Sequence, residues 1–432
     1  MTSPAQQTVA PSYPPRSLAV LFAINVLNFY DRQVLSTLTE PIRKEFSLSD
    51  TQIGAITTAF TLLYAMIGLP LGRLADRWNR KKLLACGVSV WSLLTASSAI
   101  ATSYGFLLFS RLGVAVGEAV CAPCGASWLG DLFPPHKRSG ALSLFMLGVP
   151  IGLSLSSLCS GPVAQAFGWR TAMVLAAVPA LLLVPALLSL REPARGASES
   201  QEPAAQKSAW SILRIPTLWW IIVSGSVFNF IMYSFSVFLA SFLMRVHGVS
   251  LASMGLAAAF VFGIGGALGG IIAGRVGDYV SHRRKDGRML AAAAAALLAA
   301  PFAFFGILQP AGSAAAVLAL FTLTYCCLNM YFGLVYSAIQ DIVSPALRGT
   351  AMAFYFMVMY VGGASFGSVI TGNLSDRMAR RAAAAAGSPM ITEGAKAIGL
   401  QQAMYIIPAL AIALALVLYA GSRTIGTDMR RV

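Results

Sequence analysis

The sequence predicts an all-α integral membrane protein, with twelve transmembrane helices arranged as two six-helix, pseudo-symmetric bundles and both termini cytoplasmic. Three observations predict it. Of the 432 residues, 57% are hydrophobic and 11% charged, with a mean hydropathy of +0.72, which leaves too little polar surface to close a water-soluble globule. The apolar residues gather into stretches of about 20, the length that crosses the hydrocarbon of a bilayer. Of the 31 Lys and Arg residues, 21 lie in segments on the side of both termini, 8 lie on the other side, and Arg32 and Arg111 lie inside spans. Such a bias marks the cytoplasmic side.

In chain order the twelve spans are expected at 17–38, 52–72, 83–102, 105–128, 140–162, 171–190, 217–243, 252–274, 289–308, 313–339, 350–372 and 402–421. Residues 1–16 are polar and Pro-rich, so the first span is expected to be its own insertion signal rather than a cleaved leader. The net charge of +15 would suit nucleic acid in a soluble protein. Here the basic residues occupy short loops between spans, and no nucleic-acid partner is expected. Alanine-rich runs such as 291–296 fit a bacterial inner membrane.

Residues 191–208, REPARGASESQEPAAQKS, form the long polar interior stretch and separate six spans from six. The domains are therefore a polar N-terminus (1–16), a first bundle (17–190), a cytoplasmic linker (191–216), a second bundle (217–421) and a tail (422–432). The halves repeat one another. Gly72-Arg-Leu-Ala-Asp76-Arg77 after span 2 recurs as Gly274-Arg-Val-Gly-Asp278-Tyr279 after span 8, and Asp131…Arg138 after span 4 recurs as Asp341…Arg348 after span 10. Two six-helix halves with a polar linker describe a secondary transporter whose site lies between the halves. No G-x-x-x-x-G-K-[ST] phosphate loop occurs, so ATP is not the expected driving force.

Charges inside spans are expensive and mark substrate or proton paths. Span 1 carries Asp31 and Arg32, and span 4 carries Arg111 and, two turns deeper on the same face, Glu118. Span 1 runs outward and span 4 inward, which puts Asp31 and Arg111 at matching depth. Asp31 and Glu118 are the expected proton-coupling groups, with protons as the coupling ion and no other cofactor. Arg32 and Arg111 are their charge partners or the binders of an anionic headgroup. The alternative is a permanently satisfied ion network that fixes helix packing. Asn25 and Asn28 share a face of span 1 with these charges and are expected in the cavity.

The second half offers amide and aromatic faces instead: Asn229 and Tyr233 in span 7, Asn329 and Tyr336 in span 10, and Tyr360 in span 11. A charged half facing an aromatic half suits an amphipathic anion. The six cysteines lie in apolar spans, and Cys121-x-x-Cys124 lacks a second pair or a nearby His, so no metal site is expected. His136, His247 and His282 sit in separate loops and share no catalytic motif, so an enzyme is not expected.

The loop Gly72-Arg-Leu-Ala-Asp76-Arg77-Trp-Asn79-Arg80-Lys-Lys resembles the signature loop of the major facilitator superfamily, G-x-L-x-D-r-x-G-r-k, with Asn79 in place of the second Gly. Gly72 would permit close helix approach, Asp76 would accept from a helix N-terminus or an Arg, and Arg77 and Arg80 would anchor the loop at the headgroups. Together with Asp131, Arg138, Asp278, Asp341 and Arg348 they are the expected cytoplasmic gate. Asn28-x-x-Asp31-Arg32, Arg111-x-Gly113-x-x-x-Gly117-Glu118-Ala119, Pro150-x-Gly152 and Arg191-Glu-Pro narrow the resemblance to the spinster-type branch. That resemblance implies the major facilitator fold, a monomer among membrane lipids, and transport of a lysophospholipid or sphingoid phosphate. A transporter of small organic anions or drugs is the alternative.

Overall fold

The computed structural model describes residues 15–133, 141, 144–194, 209–343 and 347–429. Arg138 and most of the linker lie outside the described residues, as do the side chains of Asp76 and Arg348.

Among the described residues there is no strand, and eleven helices are long and apolar enough to cross a membrane. They are Pro15–Thr37, Asp50–Ala75, Tyr104–Leu132, Leu144–Phe167, Trp169–Leu188, Pro216–His247, Leu251–Arg283, Gly287–Leu308, Ala314–Ile342, Ala351–Ala385 and Glu393–Asp428, corresponding to spans 1, 2 and 4 to 12. Span 3, Arg80–Ser98, opens on Arg80-Lys81-Lys82 and is less apolar, yet packs along spans 4 and 6 in its place in the first bundle. Asn79 explains its own departure from the loop pattern: its side chain accepts from the backbone N–H of Lys82 at 2.8 Å and caps span 3. Span 11 continues to Ala385 rather than ending near 372, because Asn373 to Arg381 extend the helix as a polar turn beyond the apolar stretch.

The end holding Pro15 and the linker-flanking residues is the linker end; the opposite end is the far end. Spans 8 and 11 are each interrupted near the middle by a π-helical turn, Ala259–Ile264 and Tyr360–Ala364. The far-end parts of these spans and the π turns pack against the first half: Ser365–Ala385 and Tyr360–Ala364 lie along span 2, and Leu251–Ala258 and Ala259–Ile264 lie along span 5. Glycine makes the approach possible. A Cβ on Gly255 would come within 2.8 Å of Leu158 Cα, and one on Gly372 within 2.6 Å of the Asp50 carbonyl carbon. The linker-side parts, Gly265–Arg283 and Arg348–Met359, pack within their own half.

A buried ionic seal completes the far end. Arg245 at the end of span 7 grips both Asp50 carboxylate oxygens at 2.7 and 2.8 Å and donates to Glu40 at 2.8 Å. Arg43 bridges Glu40 and, at 2.8 Å, Glu393 of the other half. Asp376 accepts from the backbone N–H groups of Asp50 and Thr51 at the start of span 2, an anion at a helix N-terminus. Burial alone would raise the Glu40 pKa, but Arg245 and Arg43 overcome it and hold the carboxyl below its ordinary value. A carboxyl depressed in this way contributes stability above its unfolded pKa and loses it only as pH falls through the lowered folded value. A spin-label distance across the far ends of spans 2 and 11 is therefore expected to stay constant from mildly alkaline to mildly acidic pH. Opening is expected only below the ordinary carboxylate range.

Candidate functional site

The charges in spans 1 and 4 meet as two ion pairs. Arg111 donates to Asp31 Oδ1 at 3.2 Å and to the Asp31 carbonyl at 3.1 Å, while Thr95 of span 3 donates to Asp31 Oδ2 at 2.5 Å. Arg32 Nε donates to Glu118 Oε2 at 2.7 Å. Neighbours on a helix point about 100° apart, which lets Asp31 turn to Arg111 while Arg32 reaches Glu118. The two acids and Arg111 are fully enclosed, whereas the Arg32 side chain keeps 13% of its surface. Its guanidinium sits over the Tyr64 ring at 4.1 Å and the Phe29 ring at 4.9 Å, with Phe60 at 5.9 Å.

These pairs border a cavity of about 720 Å³ between the halves. Arg32 and Arg111 are the charged residues of its lining; Asp31 and Glu118 stand behind them. The cavity therefore shows cationic edges and keeps its acids hidden. Asn229, Tyr233, Asn329 and Tyr360 line the opposite wall, as expected from the sequence. The remaining surface is largely apolar and includes a run of small residues, Gly263, Gly266, Ala267 and Gly270, on span 8 facing Val149 and Leu153 of span 5. The cavity lies on the linker side of the ionic seal and runs towards Leu147 and Ile271, both half-exposed.

Three expected cavity residues are elsewhere. Asn25 is buried and donates to the Phe145 carbonyl at 2.7 Å, and Asn28 is buried on the same face. The face of span 1 marked by Asn25, Asn28 and Asp31 is the interior face of the first half; Phe29, Arg32, Gln33 and Ser36 form the cavity face. Tyr336 packs edge-on against Phe332, Tyr355 and Phe356 rather than lining the cavity, one turn beyond the lining residue Phe332.

The gate residues also differ from expectation. Arg80 is fully buried, not at the headgroups: it pairs with Asp131 at 2.5 Å and Glu192 at 3.0 Å and donates to the Pro193 carbonyl at 2.9 Å. Arg288 and Asp341 form the corresponding ion pair in the second half. Both are clamps inside one half rather than contacts between halves. Glu192 is held below its ordinary pKa, because hydrogen bonds from Arg80 and Lys81 outweigh the burial that would raise it. Gly72 faces Pro123 of its own half, Arg77 is exposed, and Asp278 is exposed at the linker end of span 8.

Sequence reasoning missed Thr95, Phe29, Phe60, Tyr64 and Gln33. Phe29 and Arg32 stand at i and i+3, and Phe60 and Tyr64 at i and i+4. That spacing is the signal that points to one wall.

A family model described as Major Facilitator Superfamily matches residues 21–367. The chain is 33% identical over 374 residues to an MFS-type efflux pump of Mycolicibacterium smegmatis, covering 84% of each. It is 29% identical over 391 residues to protein spinster homolog 1 of Homo sapiens, covering 84% of this chain and 73% of that one. Among solved structures, a bacterial homologue of the human lysosomal transporter spinster, inward-facing and unoccupied, aligns with a TM-score of 0.86 and 27% identity. That alignment covers 97% of this chain and 99% of the other.

Proposed function

Because the chain belongs to the Major Facilitator Superfamily and is a spinster-like transporter within it, we propose that it moves an amphipathic anion, such as a lysophospholipid or sphingoid phosphate, in exchange or together with protons. The observation that carries this reading is the pairing at the cavity edge: a partly exposed Arg32 held by a wholly buried Glu118. An anionic headgroup entering the cavity competes with Glu118 for the Arg32 guanidinium. A carboxylate that loses its cationic neighbour in a place without water exchanges charge for a proton. Headgroup and proton thus act on the same arginine, which is the coupling. Arg111, fixed by Asp31 and Thr95, sets the electrostatic floor of the site. The aromatic and glycine-lined walls take the apolar body of the substrate.

The linker end faces the cytoplasm of a bacterial inner membrane by the distribution of basic residues, so the conformation described is closed to the outside. The protein works as a monomer. The test is proton flux into proteoliposomes, read by an internal pH dye, on adding a lysophospholipid with and without an imposed pH gradient. Flux is expected to require the lipid and to vanish in Glu118→Gln; flux indifferent to lipid would sink the lipid reading. A second reading, transport of small organic anions or drugs, is favoured by the likeness to an efflux pump. Competition by soluble aromatic acids would select it.

A further inference from the structure

The second half approaches the Arg32–Glu118 pair through tyrosine rings. Tyr64 of span 2 covers the Arg32 guanidinium at 4.1 Å; Tyr360 of span 11 meets Tyr64 at 6.4 Å between centroids; Tyr233 of span 7 meets Tyr360 edge-on at 6.5 Å. This chain of contacts leads from the ion pair of one half to the backbone of the other. Tyr360 is also the first residue of the π turn Tyr360–Ala364. The wide turn is held in place by Ser365, whose hydroxyl donates to the Tyr360 carbonyl at 2.9 Å, and by Gly363, where a Cβ would come within 2.8 Å of Ser226 Cα on span 7. Beyond it, Ser365–Ala385 is fixed to span 2 across the interface; before it, Arg348–Met359 belongs to its own half. Tyr360 therefore sits at the joint between a half-helix pinned to the first half and one packed within the second. π turns carry an extra residue per turn and are places where a helix changes direction at functional sites.

We propose that Tyr360 is a positioning residue that transmits the state of the Arg32–Glu118 pair to span 11. When Arg32 leaves Glu118, the rings stacked on it shift, and the π turn converts the shift into a tilt of Arg348–Met359 relative to Ser365–Ala385. The inference rests on the proton-coupled reading above and adds the element through which coupling reaches the second half. The ionisable groups around the pair are Asp31 of span 1, Tyr64 of span 2, Arg111 and Cys121 of span 4, Tyr233 of span 7 and Tyr360 itself.

The experiment places spin labels through Met357→Cys and Leu144→Cys on a background whose native cysteines are replaced, and measures their distance at neutral and mildly acidic pH. The parent is expected to change its distance distribution with pH, and Glu118→Gln to abolish the change. Tyr360→Leu is expected to reduce the pH response several-fold, as is Tyr64→Leu from the other side of the interface. Tyr360→Phe, which keeps the ring, is expected to retain most of the response. A parent with no pH response sinks the proton-coupled reading and this inference with it. A responsive parent matched by an equally responsive Tyr360→Leu overturns this inference alone. Tyr64→Leu supplies the same decision should Tyr360→Leu not fold.

Discussion

Glu118→Gln is expected to bring proton-driven accumulation of substrate in proteoliposomes down to the level of empty liposomes, while downhill exchange of the same substrate continues. The carboxyl is wholly enclosed and its Oε2 is bound by Arg32 Nε at 2.7 Å. A Gln in its place keeps the shape, and its carbonyl oxygen still accepts from Arg32, so the fold loses only the charge-assisted part of one hydrogen bond, about 1–1.5 kcal/mol. On the coupling proposed above, what disappears is the ability to take up and release a proton where the substrate competes for Arg32. The measurement is paired: uphill accumulation under an imposed pH gradient, and counterflow without one. Loss of both would indicate damage to the binding site. Retention of uphill transport would remove Glu118 from the coupling and leave the two ion pairs as packing devices.

Arg80→Ala is expected to destabilise the protein by about 3–5 kcal/mol, the range for removing one partner of a buried ionic network. Arg80 has no exposed surface and ties three segments together: Asp131 and Ser127 at the end of span 4, and Glu192 and Pro193 after span 6. Without it two carboxylates and two carbonyl oxygens each lose a donor at once. Arg80→Lys is expected to recover only part of the loss, since an ammonium cannot reproduce the forked set of donors. Thermal unfolding in detergent, followed by loss of the monodisperse species, reads the difference. Unfolding temperatures equal to the parent in both variants would show the clamp to be dispensable.

Much of this architecture is legible in the sequence because bilayers make polar mistakes costly. Asp31, Arg32, Arg111 and Glu118 stand out against apolar neighbours, and their depth follows from helix rise alone, so their meeting was foreseeable. The repeat of Asp131 in Asp341 is likewise visible, and the structure realises it as two like clamps, Arg80 with Asp131 and Arg288 with Asp341. The face of a helix is harder to read. Asn25 and Asn28 are polar and lie near Asp31, but a polar face can turn to the interior of its own bundle as well as to a cavity, and theirs does. Phe29, Phe60 and Tyr64 carry no contrast in an apolar span, so their helical spacing is the one mark of the aromatic surround of Arg32. Glu40, Arg43, Asp50, Arg245, Asp376 and Glu393 lie near span ends, where charge is ordinary, and their assembly into a seal depends on tertiary contacts no local pattern encodes. The π turn of span 11 packs against span 7 and that of span 8 against spans 5 and 10, contacts that no local pattern encodes.

The unequal furnishing of the cavity has a consequence for how such a protein can change over generations. The charged residues that line the cavity come from the first half, while Asn229, Tyr233, Asn329 and Tyr360 of the second half supply neutral shape. The cavity's charge is thereby inherited on one part of the chain and the wall opposite it on another. Substitutions along spans 7, 8 and 10 can resize the wall for a longer, shorter or bulkier passenger while Arg32 and Arg111 stay as they are. A lineage can in this way diversify in the shape it accepts while the charges that receive it stay the same.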